Sequence, residues 1–224
     1  MERVVCRMGG SGKPLEGVNV NTTPDVIQDK YDKWAEKYDT DMSNCSYGAP
    51  SSALKAFLEN AEEHGIKKDS RIIDVGAGTG IVGALLQKEG YTNIAAVDIS
   101  PDMLQIARGK NCYNKFICGG LGNNSLSIPD NEYDGLLCIG CITPGHINPM
   151  GIKEMLDMIR PGGLYLITVR WDVDTDEYGY AGKMEELVTQ GKMKKLFKIK
   201  SDNLGATDAQ DLARYCYLYG FTKN

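Results

Sequence analysis

The chain has 224 residues, 42% hydrophobic and 25% charged, a composition far from that of a disordered chain and suited to one globular domain. Its 30 acidic residues outnumber 25 basic ones, and the resulting charge of -5 disfavours general binding to nucleic acid. The seven cysteines (Cys6, Cys45, Cys112, Cys118, Cys138, Cys141 and Cys216) are odd in number and irregular in spacing, which argues against a disulfide framework.

No apolar run reaches signal-peptide or membrane-spanning length, so a cytoplasmic protein without membrane association is expected. Residues 1–23 are Gly-rich and polar without a period, and are expected to form a flexible tail. Residues 24–224 are expected to form the domain, beginning with helices at about 24–65. The GGSGK fragment fails the phosphate-loop pattern, because Pro14 stands where a Ser or Thr is needed. Thr23 and Pro24 suit a helix start, and Tyr31, Trp34 and Tyr38 then recur on one stripe to about residue 38. A second helix is predicted at 51–63, with Leu54, Phe57, Leu58 and Ala61 on its buried face.

From there the pattern alternates. Strands are predicted at 71–75, 93–98, 115–118, 133–139 and 164–170. Helices are predicted at 80–89, 100–108 and 149–159, the last stopped by Pro161-Gly-Gly163. Such alternation implies an α/β fold whose parallel sheet is covered on both faces. After Trp171 come a helix at 180–190 and strand candidates at 195–199 and 213–221. No helix separates those two, so the sheet should end in an antiparallel pair. Lys192, Lys194, Lys195, Lys198 and Lys200 fit an edge strand protected from aggregation better than a nucleic-acid patch.

The chemistry-bearing signal is Asp74-Val-Gly76-Ala-Gly78-Thr-Gly80, between a predicted strand and helix. Loops at the carboxyl ends of parallel strands bind ligands, and glycines allow close approach to the main chain. The spacing is G-x-G-x-G, not the G-x-G-x-x-G of dinucleotide binding, whose last glycine would fall at Ile81. Asp98 ends the next strand, where an acid can accept from both hydroxyls of a ribose. Its alternative role as a helix cap is already served by Ser100. Cys138 and Cys141 have CxxC spacing, but with two histidines in the chain they read as buried thiols, and no metal site is expected.

DVGAGTG, the acid of VDIS, SIPDNEYDGLL and RPGGLYLITVR together resemble the class I S-adenosylmethionine-dependent methyltransferases, from about Tyr31 to the C-terminus. YDKWAEKYD, GGLGNNSLSIPD and GCITPGH are similar to the methyltransferase-like proteins of the Williams-Beuren chromosomal region. The resemblance implies a seven-stranded, mostly parallel, doubly wound sheet (Rossmann-like) with its last strand antiparallel and an N-terminal helical lid. It implies S-adenosylmethionine as cofactor, with Asp74, Gly76, Ala77, Gly78 and Gly80 forming the loop beside it. Asp98 would take the ribose, Ile99 the adenine face, and Gly120 and Leu121 the adenine edge. Ile139 and Gly140 would lie beneath the sulfonium, and Tyr31, Trp34 and Tyr38 across it.

Thr143, His146, Arg170 and Trp171 would border the acceptor, with His146 as a candidate base or a loop histidine bonded to the backbone. The [DNS]PP[YFW] motif of base and amide methylation is absent after the fourth strand, where Gly140-Cys-Ile-Thr143 stands. The expected function is therefore methyl transfer to a small molecule, at nitrogen. The alternatives are a cofactor-binding regulator or partner subunit without methyl transfer, and a nicotinamide oxidoreductase, which the glycine spacing disfavours.

Overall fold

Every residue of the strand Ile72–Val75 is buried, as happens when both faces of a strand are covered. In the computed structural model, which describes residues 13–122, 126–203 and 214–224, this strand is β1 of a seven-stranded sheet. The others are β2 (Ile94–Asp98), β3 (Lys115–Cys118), β4 (Tyr133–Ile142), β5 (Ile159–Arg170), β6 (Met193–Asp202) and β7 (Tyr215–Lys223). Their order is β3-β2-β1-β4-β5-β7-β6. β7 runs antiparallel to β5 and β6, and all other neighbours are parallel. This is the predicted sheet, including its reversed last strand.

The helices are α1 (Pro24–Asn44), α2 (Ala49–Ala61), α3 (Ile81–Lys88), α4 (Pro101–Gly109), α5 (Met150–Met158) and α6 (Tyr180–Thr189). Strand pleating sends alternate residues to opposite layers. Ile73, Val75, Leu136, Tyr165 and Ile167 pack with Ile152, Met155 and Met184 of α5 and α6. Ile72, Leu137, Leu164, Leu166 and Leu218 pack with Phe57 of α2 and Leu86 of α3. None of the helices in the described residues is long and apolar enough to cross a membrane.

Several local expectations are corrected. Helix α1 continues past Tyr38 to Asn44 because Met42 and Cys45 extend the apolar stripe of Trp34. Pro161-Gly-Gly163 does not separate α5 from the next strand but lies within β5, as a bulge. Tyr133 pairs with Ile159 and Gly135 with Leu164, and Gly162 takes φ +76° in between. Residues 13–23, expected as a tail, fold back: Leu15 packs on the Trp34 cluster and Lys30 Nζ donates to the Glu16 carbonyl at 2.7 Å. Cys45 is disulfide-bonded, which the irregular cysteine spacing gave no reason to expect, whereas Cys112, Cys118, Cys138, Cys141 and Cys216 are free. Residues 123–125 of the GGLGNNSLSIPD segment and the start of the last strand candidate, at residue 213, lie outside the described residues.

The sheet and α3 are keyed together by Tyr113. Its hydroxyl accepts from Gly83 N at 3.2 Å and donates to Asp74 Oδ2 at 2.6 Å. A Cβ on Gly83 would overlap the phenol ring, which cannot swing away without losing both bonds. Gly83→Ala is therefore expected to cost about 1–2 kcal/mol net, overpacking outweighing the roughly 1 kcal/mol gain in helix propensity. Urea unfolding checks this, and an unchanged or raised midpoint would mean that the ring is free to move.

Candidate functional site

β1 and β4 are neighbours although β2 follows β1 in the chain, so the strand order reverses between them. Open α/β sheets bind ligands at the carboxyl ends of the strands flanking such a reversal. Here the loop after β1 holds Gly76, Gly78 and Gly80, all at positive φ. A Cβ on Gly76 would collide with Cys141 Sγ, whereas one on Gly78 would meet open space. Close packing against β4 demands the first glycine; backbone conformation demands the second.

Asp98 closes β2 and organises its surroundings. Its Oδ2 accepts from Gly78 N at 2.7 Å, and its Oδ1 from Ser100 N at 2.9 Å. Ser100 Oγ accepts from Met103 N at 3.0 Å, the cap expected for α4, and donates to Asp32 Oδ1 of α1. Burial raises the pKa of Asp98, and the backbone donors of Ser100 and Gly78 oppose that rise.

Above these groups lies a cavity of about 180 Å³. Its floor is Gly76, Gly78, Asp98 and Ile99; Gly119, Gly120 and Leu121 follow β3; Ile139, Gly140 and Cys141 come from β4. Pro24, Ile27, Tyr31 and Tyr38 of α1 roof it, and Gly145, His146 and Ile147 close one side. The roof is tied down by side chains. Thr79 Oγ1 donates to Asp39 Oδ1, Lys110 pairs with Asp39 at 2.6 Å, and Tyr31 Oη lies 2.8 Å from His146 Nε2.

The protons of that last pair follow from the partners. His146 Nδ1 lies 3.0 Å from the Pro144 carbonyl, which can only accept, so Nδ1 carries the hydrogen. Burial pushes the His146 pKa down to about 4 against the pull of the Pro144 bond, and the Arg170 charge adds to the lowering. The ring is thus neutral at pH 7, its Nε2 accepts, and Tyr31 donates. Burial also raises the pKa of Tyr31 and of Tyr38, keeping both phenols protonated.

A second cavity of about 80 Å³ lies beyond Tyr31, Tyr38 and Gly140, which line both. It is bounded by Trp34, Tyr47, Ile142, Thr143, Thr168 and Arg170, among others.

Of the predicted cofactor residues, Tyr31, Tyr38, Gly76, Gly78, Asp98, Ile99, Gly120, Leu121, Ile139 and Gly140 line the larger cavity, together with His146. Trp34 does not; it borders the smaller one, with Nε1 donating to Asp41 Oδ2 at 2.7 Å. Asp74 is also elsewhere, because the pleat puts it on the α3 face beneath Tyr113. Ala77 packs against Ala96 and Leu104, and Gly80 caps α3 against Tyr113 and Ala107. Thr143 and Arg170 reach the smaller cavity, whereas Trp171 is 41% exposed and lines neither. Arg170 donates from Nε and Nη2 to both Asp172 oxygens, at 2.6 and 2.8 Å.

Sequence reasoning missed Ile27, Met103, Tyr47, Thr168 and Tyr113. Ile27 was recoverable, one helical turn before Tyr31. The others arrive from distant segments and carried no local signal.

Residues 72–163 match the methyltransferase domain family. Human methyltransferase-like protein 27 is 32% identical over 157 residues, covering 69% of this chain and 63% of that protein. The demethylmenaquinone methyltransferase of Tropheryma whipplei strain Twist is 32% identical over 107 residues, covering 46% of this chain and 43% of the relative. The chain thus spans less than two thirds of the length of either relative. Among solved structures, an S-adenosylmethionine-dependent methyltransferase from Clostridium acetobutylicum superposes with a TM-score of 0.61 at 14% identity, covering 87% of this chain and 99% of that one.

Asp74 yields a pH test. Burial raises its pKa from 3.8 to about 7 despite the Tyr113 bond, so between those values the folded state holds a proton that the unfolded state has released. Its contribution should therefore fall as pH rises from about 4 to 7, by at most about 1.4 kcal/mol per pH unit. Asp74→Asn should flatten that segment of the stability–pH curve, measured by denaturant unfolding. Parallel wild-type and variant curves would disprove the raised pKa.

Proposed function

We propose that the chain is a class I methyltransferase, a reading supported by the family match over residues 72–163 and the 32% identity to human methyltransferase-like protein 27, and that it transfers a methyl group from S-adenosylmethionine to a nitrogen of a small molecule. The observation that carries the reading is the roofed cavity with the Asp98 carboxylate at one side and a neutral, engaged His146 at another. The residues present fit the cofactor. Asp98 keeps lone pairs for the ribose hydroxyls after accepting from Gly78 and Ser100. Ile99 and Leu121 offer apolar surface for the adenine, and Gly78 leaves room where a side chain would intrude. When bound, S-adenosylmethionine supplies a methyl group on a sulfonium that departs without acid assistance.

The task left to the chain is to align the acceptor and exclude water. Helix α1 supplies the exclusion. At about 180 Å³ the cavity is smaller than the roughly 300 Å³ at which small-molecule sites begin, so α1 must move outward for loading. Both cavities lie beneath one helix, which favours a small acceptor over a polymer. The choice of nitrogen rests on His146. A base with a pKa of about 4, whose lone pair already accepts from Tyr31, is poorly matched to deprotonating a hydroxyl at pH 7. An amine attacks with its own lone pair, and the ammonium formed releases its proton to water afterwards.

Calorimetry should show binding of S-adenosylmethionine and S-adenosylhomocysteine, and negligible binding of NAD. Asp98→Ala should weaken the former by about tenfold or more, through loss of charge-assisted hydrogen bonds. Unchanged affinity in a variant with wild-type circular dichroism would defeat the ribose assignment. Turnover against a metabolite library should then favour amines, with His146→Ala costing less than about tenfold. A loss of several hundredfold with cofactor affinity intact would point to an oxygen or sulfur acceptor instead.

A further inference from the structure

We propose that the smaller cavity is the acceptor subsite, and that it takes an arylamine bearing at least one N–H, oriented by the Tyr31 hydroxyl. The proposal rests on the methyl-transfer reading and narrows its substrate class. Three observations support it.

The first is the proton order. The Pro144 carbonyl fixes the hydrogen of His146 on Nδ1, the free Nε2 takes the hydroxyl hydrogen of Tyr31, and Tyr31 Oη is left with lone pairs alone. Tyr31 lines both cavities, and the proposal places its oxygen, a hydrogen-bond acceptor once His146 has taken its proton, where they meet. A group docking there must donate, and an N–H held by Tyr31 turns the nitrogen lone pair away from Tyr31. His146 is then a positioning residue: it sets the direction of the Tyr31 bond without touching the acceptor.

The second is shape. Trp34 and Tyr38 meet edge to face with centroids 4.7 Å apart, and Tyr47 adds a further aromatic wall. Such surfaces favour a flat ring, and with α1 in this position the cavity of about 80 Å³ has room for a single small one.

The third is charge. Among the described residues lining this cavity the sole charged group is Arg170, and its carboxylate partner Asp172 is outside the lining. Asp41, the acid nearest Trp34, is bonded to the indole and is outside it too. An alkylammonium would therefore be buried beside a guanidinium with no carboxylate of its own. Cation–π attraction to the aromatic walls is weaker than that desolvation. An arylamine, which protonates only in acid, avoids the conflict and arrives with its lone pair available.

The test uses the full chain saturated with S-adenosylhomocysteine, titrated with aniline, N-methylaniline, N,N-dimethylaniline and benzylamine at pH 7.5 and followed by ligand-observed NMR. Aniline and N-methylaniline should bind about tenfold tighter than N,N-dimethylaniline, the effect of one lost hydrogen bond, and tighter than benzylamine, which is protonated. In Tyr31→Phe the N-methyl and N,N-dimethyl compounds should become equal. Independently of any variant, the 15N spectrum of wild-type His146 should report a neutral ring protonated at Nδ1. N,N-dimethylaniline or benzylamine binding as tightly as aniline, or a ring protonated at Nε2, would overturn the subsite assignment alone. Failure of S-adenosylhomocysteine itself to bind would overturn the methyl-transfer reading, and this assignment with it.

Discussion

Three chain segments have to meet at the end of β2, and the Asp98 carboxylate brings them into register. One oxygen receives the amide of Gly78 and so holds the glycine loop after β1 in its turn. The other receives the amide of Ser100, whose hydroxyl both caps α4 and donates to Asp32 on α1. Burying a carboxylate is unfavourable, which is why its pKa rises; the two amide donors offset part of that penalty. Floor, flank and roof of the larger cavity are thereby keyed to one side chain. The same side chain retains lone pairs facing the space it encloses.

The roof is attached differently from the floor. Strands β1, β2 and β4 are joined by backbone ladders, whereas α1 is held by side chains: Tyr31 to His146, Asp39 to Thr79 and Lys110, and Asp32 to Ser100. Contacts of that kind can be released together without disturbing the sheet, which is the physical requirement for a lid. On the proposed reading of α1 as a lid, the Tyr31–His146 contact adds direction: each partner is neutral and has one assigned proton, so seating α1 also decides which face of the tyrosine oxygen remains to accept.

Much of the fold was legible because the sheet is covered on both sides. Apolar runs such as Leu164 to Ile167 can pair in a buried parallel sheet, and the helices between them announce their ends with Ser100-Pro101 or Gly90. Legibility failed where local chemistry was overruled by packing. Pro161-Gly-Gly163 reads as a terminator, yet β4 lies alongside and the segment bulges within the strand. Helix α1 runs beyond its aromatic stripe because Met42 and Cys45 find apolar neighbours that the periodicity alone did not require.

Spacing along the chain determined the glycine turn, the acid at the end of β2 and the aromatic stripe of α1, because each depends on residues a few positions apart. Direction is another matter. The acid at the start of the loop, Asp74, belongs by sequence with the glycines that follow it, but the pleat sends it to the opposite face, where Tyr113 from 39 residues away meets it. Trp34 and Tyr38 share one helix stripe, yet only Tyr38 reaches both cavities. That the lone pair of His146 is taken by Tyr31, 115 residues distant, was not legible from the neighbours of either residue. Only the tertiary structure decided these points, because a hydrogen bond depends on where donor and acceptor meet in space, and the chain closes that distance only by folding.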